Sequence, residues 1–185
     1  MEEWKEYKLG NLVQRKIGYG IVQPGEHVSD GVPVVKVNNI IARTATADLL
    51  EKTSFDISSK YSRTILNGGE ILISVVGSPG ICMIAPYCYK GANLVRAVAM
   101  IDIPDPNLTN WVYYYLSTTE AQRYIELRLN TTVQATLNIK DLTEMPIPVP
   151  SQDIQKSIVS ILASLDNKIE LNRRINDNLI PTYYA

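Results

Sequence analysis

Histidine is all but missing from this chain: His27 is the only one among 185 residues. A metal site assembled from histidines is thereby excluded. Any Ser-His-acid triad would have to be built on a residue set in a Gly- and Pro-punctuated loop, where a solvated side chain is the simpler reading. Cysteine is nearly as scarce. Cys82 and Cys88 make no disulfide framework, and their spacing is not the two-residue interval of a zinc knuckle or redox pair, so both read as reduced core thiols. No apolar run approaches the ~18 residues of a membrane span, and the first residues carry no charged-then-apolar signal pattern. The expectation is a cytoplasmic chain with no membrane role, in which the sequons Asn107-Leu108-Thr109 and Asn130-Thr131-Thr132 stay unmodified.

Catalytic motifs are missing as well. There is no Walker-type loop, and Gly77-Ser78-Pro79-Gly80 is too short and lacks lysine, which leaves it a turn. Pro104-Asp105 resembles the start of a metal nuclease motif, but no Glu-x-Lys follows it. An amino-methyltransferase needs an Asn/Asp-Pro-Pro-aromatic corner to hold the base amine. The nearest stretch, Ala85-Pro86-Tyr87, has no polar residue. No metal-ligating or catalytic constellation emerges, and the chain reads as not an enzyme.

Charge of one sign is also not in excess. The net charge is −1, which does not suit a bulk electrostatic nucleic-acid binder. Its distribution is uneven. Residues 36–96 hold seven bases (Lys36, Arg43, Lys52, Lys60, Arg63, Lys90, Arg96) against four acids (Asp48, Glu51, Asp56, Glu70), a local +3, and residues 97–150 offset it with three bases against six acids.

With 45% apolar residues a real core is possible. The pattern predicts a strand-rich α+β domain over residues 1–150 and a long helix over 151–180. Glu2 to Val13 reads as an extended segment and a short turn. Val32 to Ile41 is β-branched and reads as a buried strand ending in an Asn pair. Ser58 to Ser62 suits a helical turn. Glu70 to Val76, Ile81 to Ala85 and Asn93 to Ile103 read as strands. Asn110 to Leu129 reads as one or two helices, with Trp111, Tyr114, Tyr115 and Leu116 partly inward. Ile139 to Leu142 suits a turn. Met145 to Pro150 alternates proline with apolar residues, so it is extended and reads as a stiff linker.

From Ser151 to Ile180 there is neither Gly nor Pro. Apolar residues at Ile154, Ile158, Ile161 and Leu165, then Ile175 and Leu179, follow the alternating four-and-three spacing of a heptad seam. Such a helix spans ~45 Å at 1.5 Å per residue, too long for a domain of this size to cover. Ser151 can cap it, and Asp153 suits the helix dipole. Ile158, Leu165, Asn172 and Leu179 occupy one heptad position, and Ile161, Lys168 and Ile175 the other. Lys168 and Asn172 break the seam, either to fix register or where the helix passes from one partner to another.

Polar side chains gather at strand ends and loops. Lys36, Asn38, Asn39 and Arg43 follow one strand, Ser74 and Ser78 flank another, and Lys90, Asn93 and Arg96 open a third. Thr132, Gln134 and Thr136 belong to a polar cluster. Arg and Lys can bond guanine, Asn and Gln adenine, and Ser and Thr phosphate, although on composition alone an ordinary loop polar is the better reading of any single one of them.

The order and spacing of several short blocks resemble the specificity (S) subunit of type I restriction–modification systems. The blocks are Trp4…Lys8-Leu9-Gly10, Val32-Pro33-Val34-Val35-Lys36-Val37-Asn38-Asn39-Ile40, Gly69-Glu70-Ile71-Leu72-Ile73-Ser74…Gly77-Ser78-Pro79-Gly80 and Thr132-Val133-Gln134-Ala135-Thr136-Leu137. The last is Pro146-Ile147-Pro148-Val149-Pro150 followed by Gln155, Ile161-Leu162, Leu165-Asp166, Lys168-Ile169 and Asn172…Asn176…Leu179. The common form of the third block has Asp where this chain has Glu70.

The resemblance implies a target recognition domain that reads one half of a split site in double-stranded DNA. It implies conserved helices that set spacing and dock methyltransferase (M) subunits, and a restriction (R) subunit that cleaves unmodified DNA. No cofactor is implied on this chain, since S-adenosylmethionine is expected on M. The family carries two recognition domains and two helices, and one of each is present here. The chain is then a half-length subunit that pairs with itself as a homodimer, or a piece of a longer subunit with a second recognition domain. The first case favours a palindromic split site. The DNA-contact candidates are Lys36, Asn38, Asn39, Arg43, Ser74, Ser78, Lys90, Asn93, Arg96, Thr132, Gln134 and Thr136. The helix-dimerisation candidates are Ile158, Ile161, Leu165, Lys168, Asn172, Ile175 and Leu179. Two competing readings are a non-catalytic protein–protein module that dimerises through its helix, and a small-molecule enzyme with an unrecognised site.

Overall fold

A computed structural model describes residues 4–130 and 134–179, with helix side chains described to residue 176. The chain runs through β1 (Lys5–Lys8), β2 (Val32–Val35), α1 (Val37–Ile41), β3 (Lys52–Thr53), α2 (Phe55–Ser59), β4 (Ile71–Ser74) and β5 (Cys82–Ile84). It continues through β6 (Asn93–Leu94), β7 (Val98–Ile101), α3 (Pro106–Leu116), α4 (Thr119–Glu126), α5 (Ile139–Thr143), β8 (Pro146–Val149) and α6 (Gln152–Leu179).

The central sheet has the order β5-β4-β7, antiparallel throughout. Successive side chains of a strand point to opposite faces. Ile71 and Ile73 of β4 enter one apolar cluster, with Ala99 and Ile101 of β7. Leu72 enters a second, with Val98 and Met100. Both faces are covered, which is why residues 70–76 read as an almost unbroken apolar run. α3, α4, α5 and β8 close the first cluster. β2, α1, β6 and the loops around Leu50, Leu66 and Tyr89 close the second.

Two segments differ from their sequence reading. The β-branched run at 32–41 is a strand only to Val35, and α1 follows. The Asn39 side chain accepts a hydrogen bond from the Lys36 amide at 2.8 Å, so the Asn pair starts a helix instead of ending a strand. Residues 146–149 are extended as expected but are no linker. β8 pairs antiparallel with β1 in a two-stranded sheet, and Ile147 is fully buried. Proline is tolerated there because an edge strand leaves one side of its backbone unpaired. The Trp111 indole N–H donates to the Pro148 carbonyl at 2.8 Å, and Trp4 packs edge-on to Trp111 with ring centres 5.4 Å apart. The start of the chain is thereby tied to the foot of α6.

Smaller differences have local causes. Asp105 caps α3, accepting from the Asn107 amide at 2.9 Å with Pro106 next to it, so the helix begins earlier than Asn110. Thr118 caps a separate α4. Ile139 to Leu142 belongs to the short helix α5. Cys88 is exposed, because the side chain that its 3-10 turn sends inward is Tyr89.

Candidate nucleic-acid interface

Backbone hydrogen bonds draw several distant loops into one rim. The Val35 carbonyl accepts from the Val95 amide at 3.1 Å, and the Arg96 amide donates to the Ile21 carbonyl at 2.7 Å. The Val75 amide donates to Ala97 at 2.8 Å, Leu137 to Val75 at 2.8 Å and Gly77 to Ala135 at 2.9 Å. The end of β2, the 19–21 segment, the 95–97 turn, the 77–80 turn and the 134–136 segment therefore lie side by side. Gly20 makes this closure possible: a Cβ there would sit 2.1 Å from the Leu94 carbonyl oxygen.

This rim carries Lys36, Arg96, Ser78, Gln134 and Thr136, all exposed or half-buried. Asn38 is exposed on α1 just beyond Lys36. Lys36 pairs with Glu51, Nζ to Oε2 at 2.6 Å, and that hydrogen bond holds the Glu51 carboxyl below its ordinary range. Thr136 donates to the Gln134 carbonyl at 3.0 Å, which shapes its own turn. Lys90 is exposed after the 87–89 turn.

Two candidates cannot touch DNA from where they lie. Asn93 is fully buried: its Nδ2 donates to Ser58 Oγ at 3.0 Å and to the Tyr61 carbonyl at 3.2 Å, and its Oδ1 accepts from Thr64 Oγ1 at 2.7 Å. Ser74 is fully buried; its hydroxyl donates to the Ser78 carbonyl at 2.5 Å and accepts from the Ile81 amide at 3.0 Å. Both residues hold loops in place from behind. Asn39 is half-buried and committed to capping α1. Thr132 lies outside the described residues.

Arg43 belongs to a different place. It has φ 48, a conformation uncommon for a side-chain-bearing residue, and its guanidinium donates to Tyr113 Oη at 3.2 Å. It lines a cavity of about 420 Å³ between the domain and α6, with Tyr113, Tyr114, Asp166, Glu170 and Arg174. Burial opposes its charge, but Tyr113, Asp166 and Glu170 outweigh that and hold its pKa above the ordinary value. Tyr114 Oη lies 3.2 Å from Asp166 Oδ2, and burial together with that carboxylate pushes its phenol up to about 12.

α6 uses its circumference twice. Gln155, Val159, Leu162, Ala163 and Asp166 are buried or half-buried on the side that meets α3. At ~100° per residue the heptad seam lies roughly 140° away. There Ile161 is 63% exposed, Leu165 52% and Ile175 46%, with Lys168 and Asn172 also exposed. Ile158 is the exception, since it packs on the domain's first core. The side chain of Leu179 lies outside the described residues. In its described part the helix thus also divides around its circumference, one face on the domain and another exposed.

Residues outside the predicted set also contribute. Arg15 donates to Glu70 and Asp102 in a largely buried ion cluster, and to the Ile65 carbonyl at 2.7 Å. Glu70 further accepts from the Asn67 and Gly68 amides at 2.6 and 2.8 Å. Only the isolated acid of the Gly-Glu-Ile-Leu-Ile-Ser block hinted at this cluster; its partners come from 55 residues upstream and 32 downstream, by subtraction of residue numbers. Among the described residues no cluster of three His, Cys, Asp or Glu could hold a metal ion, and no helix is long and apolar enough to cross a membrane.

The geometry is that of a two-core α+β domain with a rim of polar loops, braced on the foot of a long helix. Residues 1–180 match the model of the type I restriction modification DNA specificity domain, and the chain belongs to that family. It is similar to the type I restriction enzyme EcoBI specificity subunit of Escherichia coli, 32% identical over 162 residues, a match that covers 85% of this chain and 34% of the relative. Among solved structures it resembles a chain from work on complex assembly and conformational transition of the type I R-M system, with TM-score 0.63, 20% identity, and coverage of 96% of this chain and 42% of that one. The type I restriction–modification S subunit from M. genitalium gives TM-score 0.59 at 18% identity, covering 95% and 44%. The chain spans less than half the length of each of these relatives.

Proposed function

We propose that this chain is the sequence-reading part of a type I restriction–modification complex in the cytoplasm. It reads one half of a bipartite site in double-stranded DNA and, through α6, scaffolds the methyltransferase and restriction subunits. It performs no chemistry itself, and S-adenosylmethionine binds on the methyltransferase partner. A second copy of the chain, or a second recognition domain, supplies the other half-site.

The observation that carries this reading is the rim: half-buried Lys36 and exposed Ser78, Arg96 and Gln134 on loops that two cores hold in register, with exposed Asn38 on α1 beside them. Side chains of these types bond base edges and phosphates, and loops on a rigid scaffold are where recognition is built. The test is binding-site selection followed by footprinting, with the methyltransferase subunit present. The expected outcome is a bipartite consensus with affinity that falls steeply with salt. Arg96→Ala should then relax the consensus at one position, by about 1–3 kcal/mol. A footprint without any sequence preference sinks the proposal, and a chain that self-associates without binding DNA favours the protein–protein module.

A further inference from the structure

The predicted contacts leave out a cationic hollow on the described surface. Arg15, Lys16, Ile17, Gly18, Tyr19 and Arg63 line a cavity of about 440 Å³. It contains no acidic side chain in its lining. Arg15 is already paired with Glu70 and Asp102. Lys16 and Arg63 are exposed, and among the described residues neither has a carboxylate within ion-pair distance. Two uncompensated cations facing one hollow repel each other, and an anion seated between them relieves that repulsion.

The hollow is also held rigidly. Arg63 sits in a 3-10 turn, Ser62–Thr64. On one side Thr64 Oγ1 is bonded to buried Asn93 at 2.7 Å, and on the other the Arg15 guanidinium donates to the Ile65 carbonyl at 2.7 Å. The opposite wall is the 15–19 segment, which Arg15 bridges to Asp102 and Tyr19 bridges to Ala99. A preformed site loses little freedom on binding. Tyr19 adds a half-exposed ring and a hydroxyl donor, and its segment adjoins Arg96 through the Arg96–Ile21 hydrogen bond at 2.7 Å. The hollow therefore continues the rim.

We infer that this hollow, through Lys16, Arg63 and Tyr19, clamps the phosphodiester backbone of the DNA whose bases the rim reads. The inference rests on the DNA-reading proposal and assigns these residues to position the duplex, with no part in choosing its sequence. Phosphate contacts of this kind act equally on every sequence.

The test uses the full chain, with and without the methyltransferase subunit, and a labelled duplex of arbitrary sequence titrated across salt concentrations. Lys16→Ala and Arg63→Ala should each weaken binding uniformly and lower the slope of log affinity against log salt by about 1. Lys16→Arg and Arg63→Lys should keep the slope. Unchanged thermal melting of the alanine variants separates lost contact from lost fold. If the parent binds DNA and both alanine variants keep its affinity and slope, the clamp is wrong while the DNA-reading proposal stands. If the parent, with or without the methyltransferase subunit, binds neither this duplex nor any duplex in binding-site selection, both fall. Inorganic phosphate that binds the parent and not the alanine variants, while those variants keep the parent's DNA affinity and salt slope, would mark a free-anion site and overturn the assignment to duplex DNA.

Discussion

The amide of Asn93 makes its hydrogen bonds inside the domain, to Ser58 Oγ, the Tyr61 carbonyl and Thr64 Oγ1. It is a positioning residue for the turn that holds Arg63. Removing it strands buried polar groups, and each such group costs about 1–3 kcal/mol. Asn93→Ala should therefore lower the denaturation midpoint of the chain with no DNA present. A side chain that read a base would behave oppositely, leaving the melting curve alone and changing the DNA consensus. The sequence shows Asn93 at the mouth of a strand, next to Lys90 and Arg96, and composition cannot tell an amide that faces solvent from one that faces a neighbouring loop. Apart from the adjacent Leu94 amide, its partners lie 29 to 35 residues away. Ser74 is also buried, but its partners are local: its hydroxyl bonds Ser78 and Ile81 across the turn that follows β4. Lys16, Tyr19 and Arg63 were passed over because the walls of their hollow come from segments more than 40 residues apart, a count taken from positions 19 and 63.

Elements were legible where one physical signal dominated. The double-sided burial of β4 shows as an apolar run, and α6 shows as the loss of Gly and Pro together with a heptad spacing. Legibility failed where a side-chain hydrogen bond redirected the backbone, as at Asn39, or where distant segments paired, as β1 does with β8. The helix pattern carried a second message that a single seam hides. Two faces about 140° apart, at ~100° per residue, serve two surfaces: α3 on one side, and on the other a stripe of exposed apolar side chains. Substitutions on the two faces should separate cleanly. Ile161→Lys with Leu165→Lys should leave stability within about 0.5 kcal/mol, since both side chains are more than half exposed. The same pair should abolish self-association, or association with the methyltransferase subunit, in sedimentation experiments. Val159→Ala, on the face that packs against the domain core, should cost about 1 kcal/mol and leave association intact. A double-lysine variant that still associates removes the seam from the interface.

At the scale of the whole molecule, the domain and helix are joined by a tyrosine-rich seam whose charge state links them. Tyr114 of α3 meets Asp166 in this seam, while its neighbour Tyr115 is buried in the domain core, and burial raises both phenols from an ordinary 10.0 to about 12, helped by Asp166 for the first and by Glu120 and Glu6 for the second. The sign follows from which state binds the proton more tightly. Below pH 10 both the folded and the unfolded chain keep these protons, and stability does not depend on them. Between pH 10 and 12 the unfolded chain loses protons that the folded chain retains, so stability must fall as pH rises through this window. A tyrosinate at position 114 would also face Asp166 across a former hydrogen bond, which turns an attraction between α3 and α6 into a repulsion. The melting temperature should thus drop steeply above pH 10 at constant ionic strength. Tyr114→Phe should make that drop shallower while slightly lowering stability at neutral pH, because it gives up the bond to Asp166. If the alkaline limb is identical in the variant, Tyr114 does not couple the recognition domain to its helix, and the bracing must come from the rest of that face, Ile158 and Val159 on the core and Gln155 on the Pro150 carbonyl among it.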